Sequence, residues 1–140
     1  MGSSTSKHNP KELLATPAMR GAVEEWLFNG LLLRIIDRNT GTWAFFNNSR
    51  DYEFHVAYLL NPDSAVQALS KTIITPQDDG VLCETSVYPL ETQRFFVGDV
   101  TGFESKIEAL PLSAEYLQSH ADIDERKYYR RLIPPSAATF

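Results

Sequence analysis

Tyr52-Glu53-Phe54-His55-Val56-Ala57-Tyr58 places a large apolar side chain at every second position. Side chains alternate across a strand, so Tyr52, Phe54, Val56 and Tyr58 share a buried face while Glu53, His55 and Ala57 stand toward water. The same alternation returns at Phe103, Ser105, Ile107 and Ala109 against Glu104, Lys106 and Glu108. Half-buried strands of this kind belong to an antiparallel sheet with one solvent face.

Working upstream, Asn29-Gly30 opens a strand over Leu31 to Asp37. Asp37-Arg38-Asn39-Thr40-Gly41 reverses the chain, and Thr42 to Phe46 returns. Asn and Gly suit the positive φ of a tight reversal. Asn47-Asn48-Ser49 turns into Asp51–Leu60, and Pro62 ends that run because proline has no N–H for a ladder. Downstream, Ala65–Leu69 and Thr72–Thr75 are weaker strands. Asp78-Asp79-Gly80 turns into Val81–Tyr88, followed by Thr92–Val97 and Val100–Ala109. Strands this short with turns this frequent predict an all-β fold, an antiparallel β-sandwich over residues 29–112 with short flanking helices. The helical stretches fall at Pro10 to Leu14, Val23 to Phe28, Ser113 to His120 and Ile123 to Leu132. Asp122 and Glu125 have capping-box spacing for the last.

A chain of 140 residues supports one hydrophobic core. Its 13 basic and 18 acidic side chains give a formal charge of −5. The excess falls on residues 30–112, at six basic against eleven acidic, while both flanks balance. That sign repels a phosphate backbone, and no basic stripe interleaves with aromatics, so nucleic acid is set aside as a partner. Cys83 is the only cysteine, which excludes an intrachain disulfide and, with no secretory or organelle leader pattern, points to the cytoplasmic side.

Three blocks read together, Asn29-Gly30-Leu31-Leu32-Leu33-Arg34-Ile35, Thr42-Trp43-Ala44-Phe45-Phe46-Asn47 and Asp51-Tyr52-Glu53-Phe54-His55-Val56, resemble the β domain of the calpain-like cysteine proteases of kinetoplastid protozoa. Val87-Tyr88-Pro89-Leu90-Glu91-Thr92, Gly102-Phe103 and Ala109-Leu110-Pro111-Leu112-Ser113-Ala114-Glu115-Tyr116-Leu117 extend the resemblance over residues 26–119. It implies a small, non-catalytic calpain-related protein with a sandwich like that of the calpain β domain. It further implies a place at the plasma or flagellar membrane or the subpellicular cytoskeleton. The organisation that follows is a flexible tail with a short helix over 1–25, the β domain over 26–119 and a helical extension and tail over 120–140.

Relatives of that kind often begin Met-Gly-Cys, carrying myristate and palmitate. Here Met1-Gly2-Ser3-Ser4-Thr5-Ser6-Lys7 keeps the glycine and the serine of the myristoylation pattern, with Lys7 beside them, and lacks the cysteine. Either Gly2 is acylated, giving one-chain, reversible membrane contact, or it opens an unmodified tail.

Chemistry-bearing residues are sparse. Cys83 alternates in phase with Val81, Thr85 and Val87, which makes it a core thiol rather than a nucleophile. His8, His55 and His120 are scattered without metal spacing, and no phosphate loop is present, so no enzyme, cofactor or metal is expected. Asp78 and Asp79 are the candidate calcium ligands, a set that needs Asp63 or Asp99 from neighbouring loops. Phe46 and Phe95-Phe96 adjoin other core aromatics, and adjacent strand residues face opposite ways, so one of each pair is a candidate interaction surface unless the flanks cover it. The function expected is a non-catalytic adaptor or scaffold with protein partners, oligomeric state open. The alternatives are a regulatory calcium- or lipid-binding β module and regulation of a calpain-like protease.

Overall fold

In the computed structural model, which describes residues 12–132, two antiparallel sheets pack face to face. β1 (Val23–Leu27), β2 (Leu32–Asp37), β3 (Thr42–Asn47), β4 (Tyr52–Leu60), β5 (Ala65–Ala68), β6 (Ile73–Gln77), β7 (Gly80–Val87), β8 (Thr92–Asp99) and β9 (Phe103–Pro111) precede two helices, α1 (Ala114–Ser119) and α2 (Glu125–Arg131). One sheet runs β1-β2-β3-β8-β5 and the other β6-β7-β4-β9. The alternation at 52–58 puts Phe54, Val56 and Tyr58 between the sheets, with Leu32, Phe45, Cys83, Val87, Phe95 and Phe96. Apolar groups of this size gain about 1.5–3 kcal/mol each on burial.

Val23 to Phe28, expected as helix, is instead edge strand β1, pairing with β2 from Val23↔Ile36 to Leu27↔Leu32. The stretch assigned to a flexible tail therefore supplies a strand. Pairing wins over helical spacing because Phe28, Asn29 and Gly30 take φ of 52, 54 and 95° and fold the chain straight back onto Leu32. Of the expected Pro10 to Leu14 helix, residues 10 and 11 lie outside the described residues, and Glu12 to Leu14 form none. The last helix is capped by Asp124, whose carboxylate accepts from the Arg126 and Lys127 N–H groups at 3.1 and 3.2 Å, rather than by Asp122.

Phe46, Phe95 and Phe96 are all fully buried, against the expectation of an exposed aromatic patch. Two devices account for it. Opposite Trp43 and Ala44, β8 bulges: Trp43 pairs with Phe96 and Ala44 with Arg94, so Phe95 is the extra residue. A bulge breaks strict alternation and lets both phenylalanines enter the inter-sheet core, 4.6 Å apart at their centroids. Phe46 does face away from that core, but Ala15 and Met19 of the N-terminal segment cover it together with Leu33, Ile35 and Ala44.

Candidate functional site

Residues 12–22 lie as a strap across the outer face of the five-stranded sheet. Pro17 fixes φ and denies the strap a helix, leaving backbone groups that need partners. Asn48 supplies them: its Oδ1 accepts from the Leu14 N–H at 2.8 Å, and its Nδ2 donates to the Glu12 and Gly30 carbonyls at 3.1 Å each. Thr92 Oγ1 accepts from the Ala18 N–H at 2.8 Å. Arg20 donates twice to the Glu24 carboxylate, at 2.7 and 2.6 Å. At Gly21 a Cβ would stand 2.3 Å from the Ile36 carbonyl oxygen, so the strap reaches β2 only through glycine. The outer end of the strap stays open to solvent, with Leu13 38% and Leu14 44% exposed. Leu14 also borders a cleft of about 290 Å³ with Leu31, Arg50 and Tyr52. Gly2, Ser6 and Lys7 precede this end and lie outside the described residues.

Asn47, one residue before the strap clamp, ties the sheets together. Its Nδ2 donates to the Tyr52 and Val87 carbonyls at 2.8 and 3.0 Å, and its Oδ1 accepts from the Ser49 N–H and hydroxyl. The sequence showed Asn47-Asn48-Ser49 only as a reversal. A signal was available, since two consecutive carboxamides at the end of a strand can satisfy many backbone groups on both sides of it.

The outer face of the four-stranded sheet holds an open depression of about 490 Å³ around Ala57, between Lys106 and Glu84. His55 Nε2 lies 2.7 Å from Glu53 Oε2 at its rim, and Ser86 pairs with His55 in register. Glu53, expected on the wet face, is only 3% exposed because the chain after β9 crosses it and the Ser113 N–H donates to its Oε1 at 2.8 Å. Ser86 makes no hydrogen bond to His55, and the strand amides around it lie in the ladders of a paired sheet rather than forming an oxyanion site.

Cys83 is fully buried, and burial pushes its thiol up to about 11. A thiol that stays protonated is a poor nucleophile. Asp78 and Asp79 form the exposed two-residue turn between β6 and β7, with Gln77 paired to Gly80. Asp63 Oδ1 instead accepts from the Thr101 hydroxyl at 2.6 Å, and no group of three metal-ligating side chains converges among the described residues. Among those residues no helix is long and apolar enough to cross a membrane.

Arg34 brings a charge to the end of the inter-sheet layer, where it is half-buried. Its Nη1 donates to the Tyr58 hydroxyl at 3.0 Å, its Nη2 to Glu25, and its guanidinium carbon stands 5.7 Å from both the Trp43 and Phe103 rings. Burial alone would lower its pKa, but the hydroxyl and carboxylate outweigh that and the net direction is up. Tyr58 is raised by burial, with Arg34 opposing. The guanidinium is thus held by a hydroxyl, a carboxylate and two ring faces.

The sequence profile of a domain of unknown function, DUF1935, matches residues 13–112. Among solved structures, the NMR structure of SMP-1 (Small Myristoylated Protein) from Leishmania major is similar at 37% identity and a TM-score of 0.75, over 87% of this chain and 96% of that one. A Leishmania major hypothetical protein is similar at 36% identity and a TM-score of 0.67, over 72% of this chain and 92% of that one. No curated protein matches. The kinetoplastid resemblance is supported, but the assignment to the calpain β domain is corrected, since the similar structures are SMP-1 and a hypothetical protein, each from Leishmania major, and neither is described as a calpain. The first three quoted blocks fall on β2, β3 and β4, in the packed centre of this sandwich. By the extent of the profile match and the identity to SMP-1, this chain belongs to the DUF1935 family.

Proposed function

We propose that this chain is a non-catalytic, membrane-associated adaptor, N-myristoylated at Gly2, whose sandwich presents protein contacts at the cytoplasmic face of a membrane. The observation that carries this reading is the likeness to SMP-1, a small myristoylated protein, over nearly the whole of both chains. The Asn48 clamp supports it physically, because it fixes where the acylated segment leaves the domain. From Glu12, residue 2 is within about 35 Å of extended chain, so the sandwich stays close to the bilayer. One acyl chain binds reversibly and without preference among membranes. The finer address, plasma membrane, flagellar membrane or subpellicular cytoskeleton, is then set by a protein partner. A calcium-binding alternative has only the Asp78-Asp79 turn in its favour. In cells, Gly2→Ala should move the protein from the membrane to the soluble fraction, and intact mass of the native protein should include one myristoyl group. An unmodified native mass, with both forms distributed alike, overturns the proposal.

A further inference from the structure

The two sheets have four edges, β1 and β5 on one, β6 and β9 on the other. Three are blunted against strand addition in familiar ways. β1 carries Glu24 and Glu25 side by side, β5 has four residues, and β6 contains Pro76. β9 differs. It is nine residues long, pairs among the described residues with β4 alone, and is exposed along most of its length.

We infer that β9 is a self-association edge, on which a second copy of this chain pairs antiparallel about a two-fold axis at Ile107. The midpoint of Phe103–Pro111 is Ile107, so a register centred there pairs the whole strand with its copy. On the outer face that register sets Lys106 against Glu108, and by symmetry Glu108 against Lys106. On the inner face Ile107 meets Ile107 and Ser105 meets Ala109, continuing the apolar layer in which Ile107 and Ala109 already pack. Shifting the axis to Lys106 would set Lys106 against itself and Glu104 against Glu108, which is repulsive. Full overlap and charge complementarity therefore select the same register. Pro111 falls at the strand end, where a missing N–H ends the ladder without interrupting it. Resting on the Gly2 assignment, such a dimer would carry two acyl chains and so convert marginal membrane attachment into stable attachment.

Sedimentation velocity of the unacylated full-length chain tests the pairing separately from acylation. Wild type should pass from monomer to dimer between about 1 µM and about 1 mM. Lys106→Glu and Glu108→Lys, each creating two like-charge pairs, should weaken association by about tenfold or more. Mixed in equal amounts they should associate nearly as wild type does, because both glutamates of the first variant then face lysines of the second. Wild type remaining monomeric throughout, single variants associating as tightly as wild type, or a mixture that stays monomeric would each overturn the inference.

Discussion

Asn48→Ala removes the clamp that holds the strap to the sheet. Three side-chain hydrogen bonds are lost, to the Leu14 N–H and to the Glu12 and Gly30 carbonyls. Each is worth about 1 kcal/mol net, and a group left buried without a partner costs about 1–3 kcal/mol. Glu12 and Leu14 are exposed and can turn to water, whereas Gly30 is buried and cannot. The total is about 3–5 kcal/mol, or a fall in Tm of about 10–15 °C for a chain of this size. Urea unfolding gives the stability change directly, and amide exchange at Leu14 and Ala18 should quicken more than at β4 if the strap lifts first. Asn48→Asp separates the two roles of the carboxamide. It keeps the acceptor for Leu14 but faces two carbonyl oxygens with a carboxylate, so it should be at least as damaging as alanine. A loss below about 0.5 kcal/mol for Asn48→Ala, or an aspartate variant as stable as wild type, would refute the clamp.

Phe46→Ala and Phe95→Ala should each cost about 3–5 kcal/mol in urea unfolding, since both rings are fully buried, whereas a surface phenylalanine would cost less than about 0.5. Stability should also fall in alkali. The Cys83 thiol is raised from 9.0 to about 11 and Tyr58 and Tyr128 are raised from 10.0, chiefly by burial, so the native state holds protons the unfolded chain gives up. Their contribution is complete below about pH 9 and is lost as pH rises through the folded values. Urea midpoints measured from pH 8 upward should show this decline, and Cys83→Ala should flatten its part near pH 9–11.

The strand at 52–58 was legible because a buried face and a wet face leave a period of two in the sequence. β9 and, through Val81, Cys83, Thr85 and Val87, β7 were legible for the same reason, whereas β2 and β3, buried on both faces, were legible only from the Asn, Asp and Gly turns that bound them. Features that depend on contact between distant segments were not. Val23–Leu27 has no alternation of its own, so its sequence reads as a short helical piece, and only pairing with β2 makes the segment a strand. The bulge that turns both Phe95 and Phe96 inward is a property of the β3–β8 register and leaves no mark in β8 alone. Glu53 occupies a nominally wet position and is buried only because Ser113, sixty residues later, covers it. Asn47 and Asn48 looked like any turn, since a carboxamide at a loop tip and one bridging two sheets have the same one-dimensional signature. At the candidate site, Gly2, Ser6 and Lys7 came from a local motif, while the strap that leads from them onto the sheet could only be seen folded.

Binding of purified acylated and unacylated chain to sedimented lipid vesicles bears most directly on the proposed role. Acylated protein should bind with an association constant of about 10⁴ M⁻¹ per myristoyl chain, and unacylated protein should remain in the supernatant. Equal binding of the two forms would place the membrane contact on the sandwich rather than on Gly2. No binding by the acylated form would contradict a membrane role for the chain.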